Sequence, residues 1–104
     1  MTKIVYETYY NTHIIECSGH TDYSCGDDIL CSAVSILVAT LKAYLEKGES
    51  NGEVSNLKCI LQSGQSYITF DCNEDSPVLC GVDALVMGFE ILSDAYPDYI
   101  SFES

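Results

Sequence analysis

Residues 13 to 18, HIIECS, alternate with His13, Ile15 and Cys17 on one face and Ile14, Glu16 and Ser18 on the other. That two-residue period marks a strand half-buried in an antiparallel pair. The preceding TKIVYETYY, residues 2 to 10, is rich in β-branched and aromatic types and predicts a partner strand, with Asn11 and Thr12 as the turn. From Asp28 to about Glu46 the pattern changes. The run ILCSAVSILVATLKAYLE, with apolar residues on nearly every face of its first half, predicts about five helical turns ending at Lys47-Gly48, a cationic last turn and a glycine stop. Its first half is more apolar than a one-sided amphipathic helix requires, so it is expected to be covered on several sides by the sheet, by a second helix or by a partner subunit.

A polar loop, residues 49 to 56, leads to LKCILQ (57 to 62) and SYITFDC (66 to 72), two strands flanking Ser63-Gly64-Gln65 as a hairpin. Ser76-Pro77 then opens a second helix running through VLCGVDALVMGFEILSDAY, with serine as cap and proline at the first helical position. Val78, Val82, Leu85, Phe89 and Leu92 recur at three and four, the stripe of a buried face. Pro97 ends the helix and DYISFE supplies a last strand. The order strand, strand, helix, strand, strand, helix, strand predicts an α+β fold with two helices packed on one face of a mainly antiparallel sheet. At 104 residues the chain is expected to form a single domain over residues 1–104.

Composition narrows the function classes. Sixteen acidic residues face four lysines and no arginine, for a formal net charge of −12. Binding to nucleic acid or anionic membrane depends on lysine and arginine displacing counterions, so neither is expected, and a basic partner is favoured. The chain lacks an uninterrupted apolar run of bilayer length and the basic-then-apolar layout of a secretory signal, which places it in the cytosol. Of its six cysteines, Cys59 and Cys72 fall in apolar strands and Cys80 in a helix, as small hydrophobes do in a reducing compartment. The sequence has no CxxC and no paired Cys/His spacing, so no metal site and no cofactor are expected.

One segment remains outside this packing logic, SGHTDYSCGDDILCSAVS at residues 18 to 35. If Asp27 or Asp28 caps the helix, Cys31 lies in its first turn, where outward-pointing backbone N–H groups and the positive end of the helix dipole stabilise a thiolate. The two aspartates oppose that effect. The same N–H groups can serve as an oxyanion hole for acyl transfer. His20, eleven residues earlier, is within folding reach and can take the thiol proton and return it to a leaving amine. Read as residues alone, Cys31 remains either core filler or nucleophile, since helical cysteines are more often packed than reactive.

The run G-H-x(5)-G-x-D-x-x-C-x-x-x-S, present as Gly19-His20, Gly26, Asp28, Cys31 and Ser35, resembles the signature of the bacterial ribosomal-processing cysteine proteases, the Prp family. The likeness extends to chain length, element order, acidity and the Asp-Ala-Leu-x-x-Gly-Phe run from Asp83 to Phe89. Thr21 and Ser32 stand where many members carry alanine, and both keep the side chain short. The resemblance implies a homodimeric endopeptidase that removes the N-terminal extension of large-subunit ribosomal protein number twenty-seven, with Cys31 as nucleophile and His20 as base. Asp28 is expected to cap the helix or orient the imidazole, and Ser35 to pack one turn below Cys31. Gly19 and Gly26 are expected to act as hinges of a segment that closes over the peptide. Two other readings stand beside this one: a non-catalytic, acidic, ribosome-associated binding module with Cys31 as filler, and a thiol redox sensor using Cys25 and Cys31.

Overall fold

The structure, a computed structural model, describes residues 1–19, 29–62 and 64–104. In chain order the elements are β1 (Thr2–Tyr9), β2 (Thr12–Ser18), α1 (Ile29–Ser50), β3 (Ser55–Gln62), β4 (Gln65–Asp71), α2 (Val78–Ala95) and β5 (Ile100–Glu103). The strands form one sheet in the order β3-β4-β2-β1-β5, antiparallel throughout except for the parallel pair β1 and β5. This is the α+β layout expected, with two helices on a mostly antiparallel sheet.

The alternation read in β2 holds: His13, Ile15 and Cys17 are buried and their neighbours only partly so. Register carries the same face across the sheet, setting Ile15 opposite Ile68, His13 opposite Phe70, and Ile4 opposite both Cys17 and Phe102. Leu30, Val34, Val38, Leu41 and Leu45 of α1 close over that face together with Val78, Val82 and Phe89 of α2. Helix α1 is long and apolar enough to cross a membrane by length and composition. Here those five residues instead spend their hydrophobicity on the core, at successive spacings of three and four. The helices approach closely where α2 carries glycine. A Cβ at Gly81 would overlap the Tyr44 ring, and one at Gly88 would press on Leu37 at 3.0 Å. Tyr44 also donates its hydroxyl to the Val78 carbonyl at 3.1 Å.

Boundaries moved where backbone chemistry overrode pattern. Helix α1 continues past Gly48, because this glycine is buried against Val54 and Val78, where a Cβ would sit 3.0 and 3.2 Å from their methyls. The stop is Gly52, at φ +76°, with Glu53 N–H donating to Gly48 O and Gly52 N–H to Glu49 O, a Schellman closure. The first hairpin turns at Tyr10 and Asn11, not Asn11 and Thr12, with Tyr10 at φ 56° and Tyr9 paired to Thr12. Strand β3 begins two residues before the expected Leu57, across an irregularity between Ser55 and Lys58. There Asn56, at φ 54°, donates to Asp71 at 2.7 Å. Asp71 accepts a second bond from Thr12, also 2.7 Å, and the two hold its carboxyl below the usual range. The second helix starts one residue later than expected, with Pro77 rather than Ser76 at the N-cap position, at φ −63°, while Ser76 Oγ still accepts the Val78 N–H at 3.3 Å.

Candidate functional site

Strand β2 delivers Gly19 to one end of the sheet, and the start of α1 delivers Cys31 to the same place. Both line a cleft of about 190 Å³. Gly19 is fixed there by its backbone. It takes φ +89°, its N–H donates to the Gly64 carbonyl at 2.9 Å, and a Cβ would overlap the Met1 carbonyl oxygen. Only glycine meets both requirements, so the residue preceding His20 is pinned rather than hinged. Cys31 is the third residue of α1 and half-buried, in the helical turn where backbone N–H groups point outward. Ser35, one turn further on, lines the same cleft. Three of the six residues singled out by sequence, Gly19, Cys31 and Ser35, therefore converge. His20, Gly26 and Asp28 lie outside the described residues, as does Cys25 of the redox-sensor reading and the segment expected to close over the peptide.

The remaining lining comes from residues that no motif marked. Gln62, Gly64, Gln65 and Ser66 belong to the β3–β4 hairpin, brought beside Cys31 because β4 pairs with β2 in the register Cys17 to Ser66. Their only signal in the sequence was the glycine of the hairpin turn; the pairing that carries them to the cleft is long-range. Together they give the cleft hydroxyl and carboxamide groups and no charged side chain among the described residues. Such groups suit a peptide backbone, which presents one donor and one acceptor per residue.

Cys17 also reaches this cleft, and it is a different kind of thiol. It sits in the sheet core, where burial, helped by Glu16, pushes its pKa up to about 12. Near neutral pH it is therefore a protonated core residue, whereas Cys31 occupies the helix terminus. Cys17, Cys59, Cys72 and Cys80 are free thiols. No group of three metal-binding side chains occurs among the described residues.

The other histidine is held elsewhere. His13 stands near the opposite end of β2, four residues from Cys17, or about 13 Å at ~3.3 Å per strand residue. Its Nδ1 lies 3.0 Å from the Tyr6 hydroxyl and 3.2 Å from that of Thr8, and its ring stacks between Tyr6 and Phe70, with centroids at 6.1 and 5.0 Å. Burial lowers its pKa, against the opposing pull of Asp83 and Asp71.

At this end of the sheet a thiol in the N-terminal turn of a helix opens on a cleft that is polar and uncharged among the described residues. The chain belongs to the cysteine protease Prp family, whose sequence model matches residues 1–101. Among solved structures it is similar to the ribosomal processing protease Prp of S. aureus, determined with a covalently linked product peptide, at 16% identity over 99% of this chain and 98% of that one, with a TM-score of 0.73. It is also similar to SMU.848 of Streptococcus mutans, at 22% identity over 99% and 96% of the two chains, with a TM-score of 0.68. At these identities the structural likeness speaks for the fold. No curated protein matches the sequence.

Proposed function

We propose that this protein is a cysteine endopeptidase that removes the N-terminal extension of large-subunit ribosomal protein number twenty-seven during ribosome maturation in the cytosol. The observation that carries the reading is the place of Cys31 in a member of the cysteine protease Prp family: in the first turn of α1, in a cleft shared with Gly19, the residue before His20. The chain has two histidines, and the enclosure of His13 by Tyr6, Thr8 and Phe70, away from the cleft, supports His20 as the base. The covalently linked product peptide of the S. aureus protein supports a peptide as the ligand of such a cleft.

The chemistry follows from these roles. His20 takes the Cys31 proton, and the thiolate adds to the scissile carbonyl, whose developing oxyanion is met by backbone N–H groups of the first turn. Collapse expels the amine, protonated by His20, and leaves a thioester on Cys31. His20 then takes a proton from water, which hydrolyses the thioester and restores the thiol. No step draws on a metal or organic cofactor. Gly19 holds the cleft wall and Ser35 lines the cleft one helical turn beyond Cys31.

The exposed apolar residues of the helical layer, Ile29 and Ile36 on α1 and Met87 and Ile91 on α2, support assembly as a homodimer through that layer. Alkylation tests the nucleophile. Iodoacetamide followed by mass mapping should modify Cys31 ahead of the other cysteines, at a rate that falls in His20→Ala. Labelling of Cys31 no faster than of Cys80 would leave only a binding module, and a Cys25–Cys31 disulfide under mild oxidant would favour the redox sensor.

A further inference from the structure

We propose that the substrate chain runs from Cys31 along the groove between α1 and the free edge of β3, and that an apolar substrate side chain two or three residues from the scissile bond seats on Leu61. The proposal rests on the reading of the Cys31 cleft as a peptidase site. Ser35, Gln62 and Ser66 line both that cleft and a second hollow of about 300 Å³, which adds Val38 and Leu61, so the two form one continuous path. Leu61 projects on the helix side of β3 but is 44% exposed; its partner across the strand pair is the small Ser66, and Ser35 and Val38 of α1 line the hollow beside it.

The edge itself points the same way. Strand β3 ends the sheet and pairs only with β4 among the described residues, so its outer backbone groups are available to an added strand. Edge strands are commonly blunted by charge and bulges. Here both devices, Lys58 and the irregularity between Ser55 and Lys58, occupy the half away from the cleft. The half beside it, Ile60, Leu61 and Gln62, is uncharged and open, with Ile60 and Leu61 at 51% and 44% exposure.

Spacing sets the register. Ser35 and Val38 lie four and seven residues beyond Cys31 in α1, about 6 and 10 Å along a helix rising ~1.5 Å per residue. An extended peptide covers that in about two to three residues. With no charged side chain lining either hollow among the described residues, the position selects an uncharged apolar side chain, and basic residues of the extension fall outside it.

The test compares wild type, Leu61→Asp and Ser35→Leu on peptides cut by the wild type, with leucine, phenylalanine, alanine or lysine placed at each position flanking the scissile bond. Wild type should prefer leucine or phenylalanine at one position two or three residues from the bond. Leu61→Asp should lower kcat/KM for those peptides at least tenfold and favour lysine at that position alone. Ser35→Leu, which narrows the groove from the helix side, should disfavour phenylalanine against alanine there. Iodoacetamide labelling of Cys31 should be the same in Leu61→Asp as in wild type, so a loss of cleavage is assigned to the groove and not to the nucleophile. Unchanged side-chain preference in both variants would overturn the proposal. Absence of both cleavage and selective Cys31 labelling in the wild type would remove the peptidase reading and the groove assignment with it.

Discussion

Gly19→Ala separates two costs that one glycine bears. At φ +89° any L side chain meets backbone strain of about 1–2 kcal/mol. The added Cβ also overlaps the Met1 carbonyl oxygen, a backbone atom that cannot swing aside as a side chain would. Met1 precedes Thr2, whose N–H donates to Tyr99 O at 2.8 Å where β1 meets β5, and Gly19 N–H is itself bonded to Gly64 O. Relief must therefore shift one of two anchored segments, an overpacking cost of about 1–3 kcal/mol. The sum, about 2–5 kcal/mol, is a large share of the ~5–15 kcal/mol that stabilises a domain of this size. Gly52→Ala supplies the control, because Gly52 sits at φ +76° with nothing within 4 Å of an added Cβ and should lose only the strain. Urea unfolding followed by circular dichroism measures both variants. Gly19→Ala should be less stable than Gly52→Ala by at least 1 kcal/mol and should also cleave more slowly, since Gly19 forms the cleft wall. Equal stability of the two variants would refute the close approach to Met1.

Two further outcomes follow from charge. Burial lowers the His13 pKa from its unfolded value near 6.5, so the unfolded chain binds the proton first; stability should be full above pH ~6.5 and fall as pH drops from there through the lower folded value, a slope that His13→Gln should remove from urea unfolding curves. Cleavage should weaken as salt rises, because the −12 chain draws a basic extension through exposed charges that ~0.15 M ions screen beyond ~8 Å; kcat/KM that stays flat from low to high salt would assign selection to the cleft alone.

Much of the fold was legible because single elements carried it. The alternation of His13 to Ser18 and the stripe from Val78 to Leu92 each state one face and one period, and both faces are the buried ones. Gly48 misled because glycine serves two ends, stopping a helix or admitting a neighbour, and only the packing of Val54 and Val78 against it separates them. The Tyr10 turn carries no glycine, so nothing local announced a positive φ there. At the site, the first-turn place of Cys31 and the strand-end place of Gly19 were legible because both are local events, while Ser35 was marked by the resemblance to the family signature. The hairpin wall of Gln62, Gln65 and Ser66 was not, because it depends on β4 crossing to pair with β2 across about fifty residues of chain.

The central claim, that Cys31 is the nucleophile and His20 its base, is tested most directly by incubating the full-length ribosomal protein with wild type, Cys31→Ala and His20→Ala and following its intact mass. Wild type should release the N-terminal extension at a single position, while both variants, folded by circular dichroism, leave the substrate at full length. Cleavage by Cys31→Ala at the wild-type rate would contradict the account.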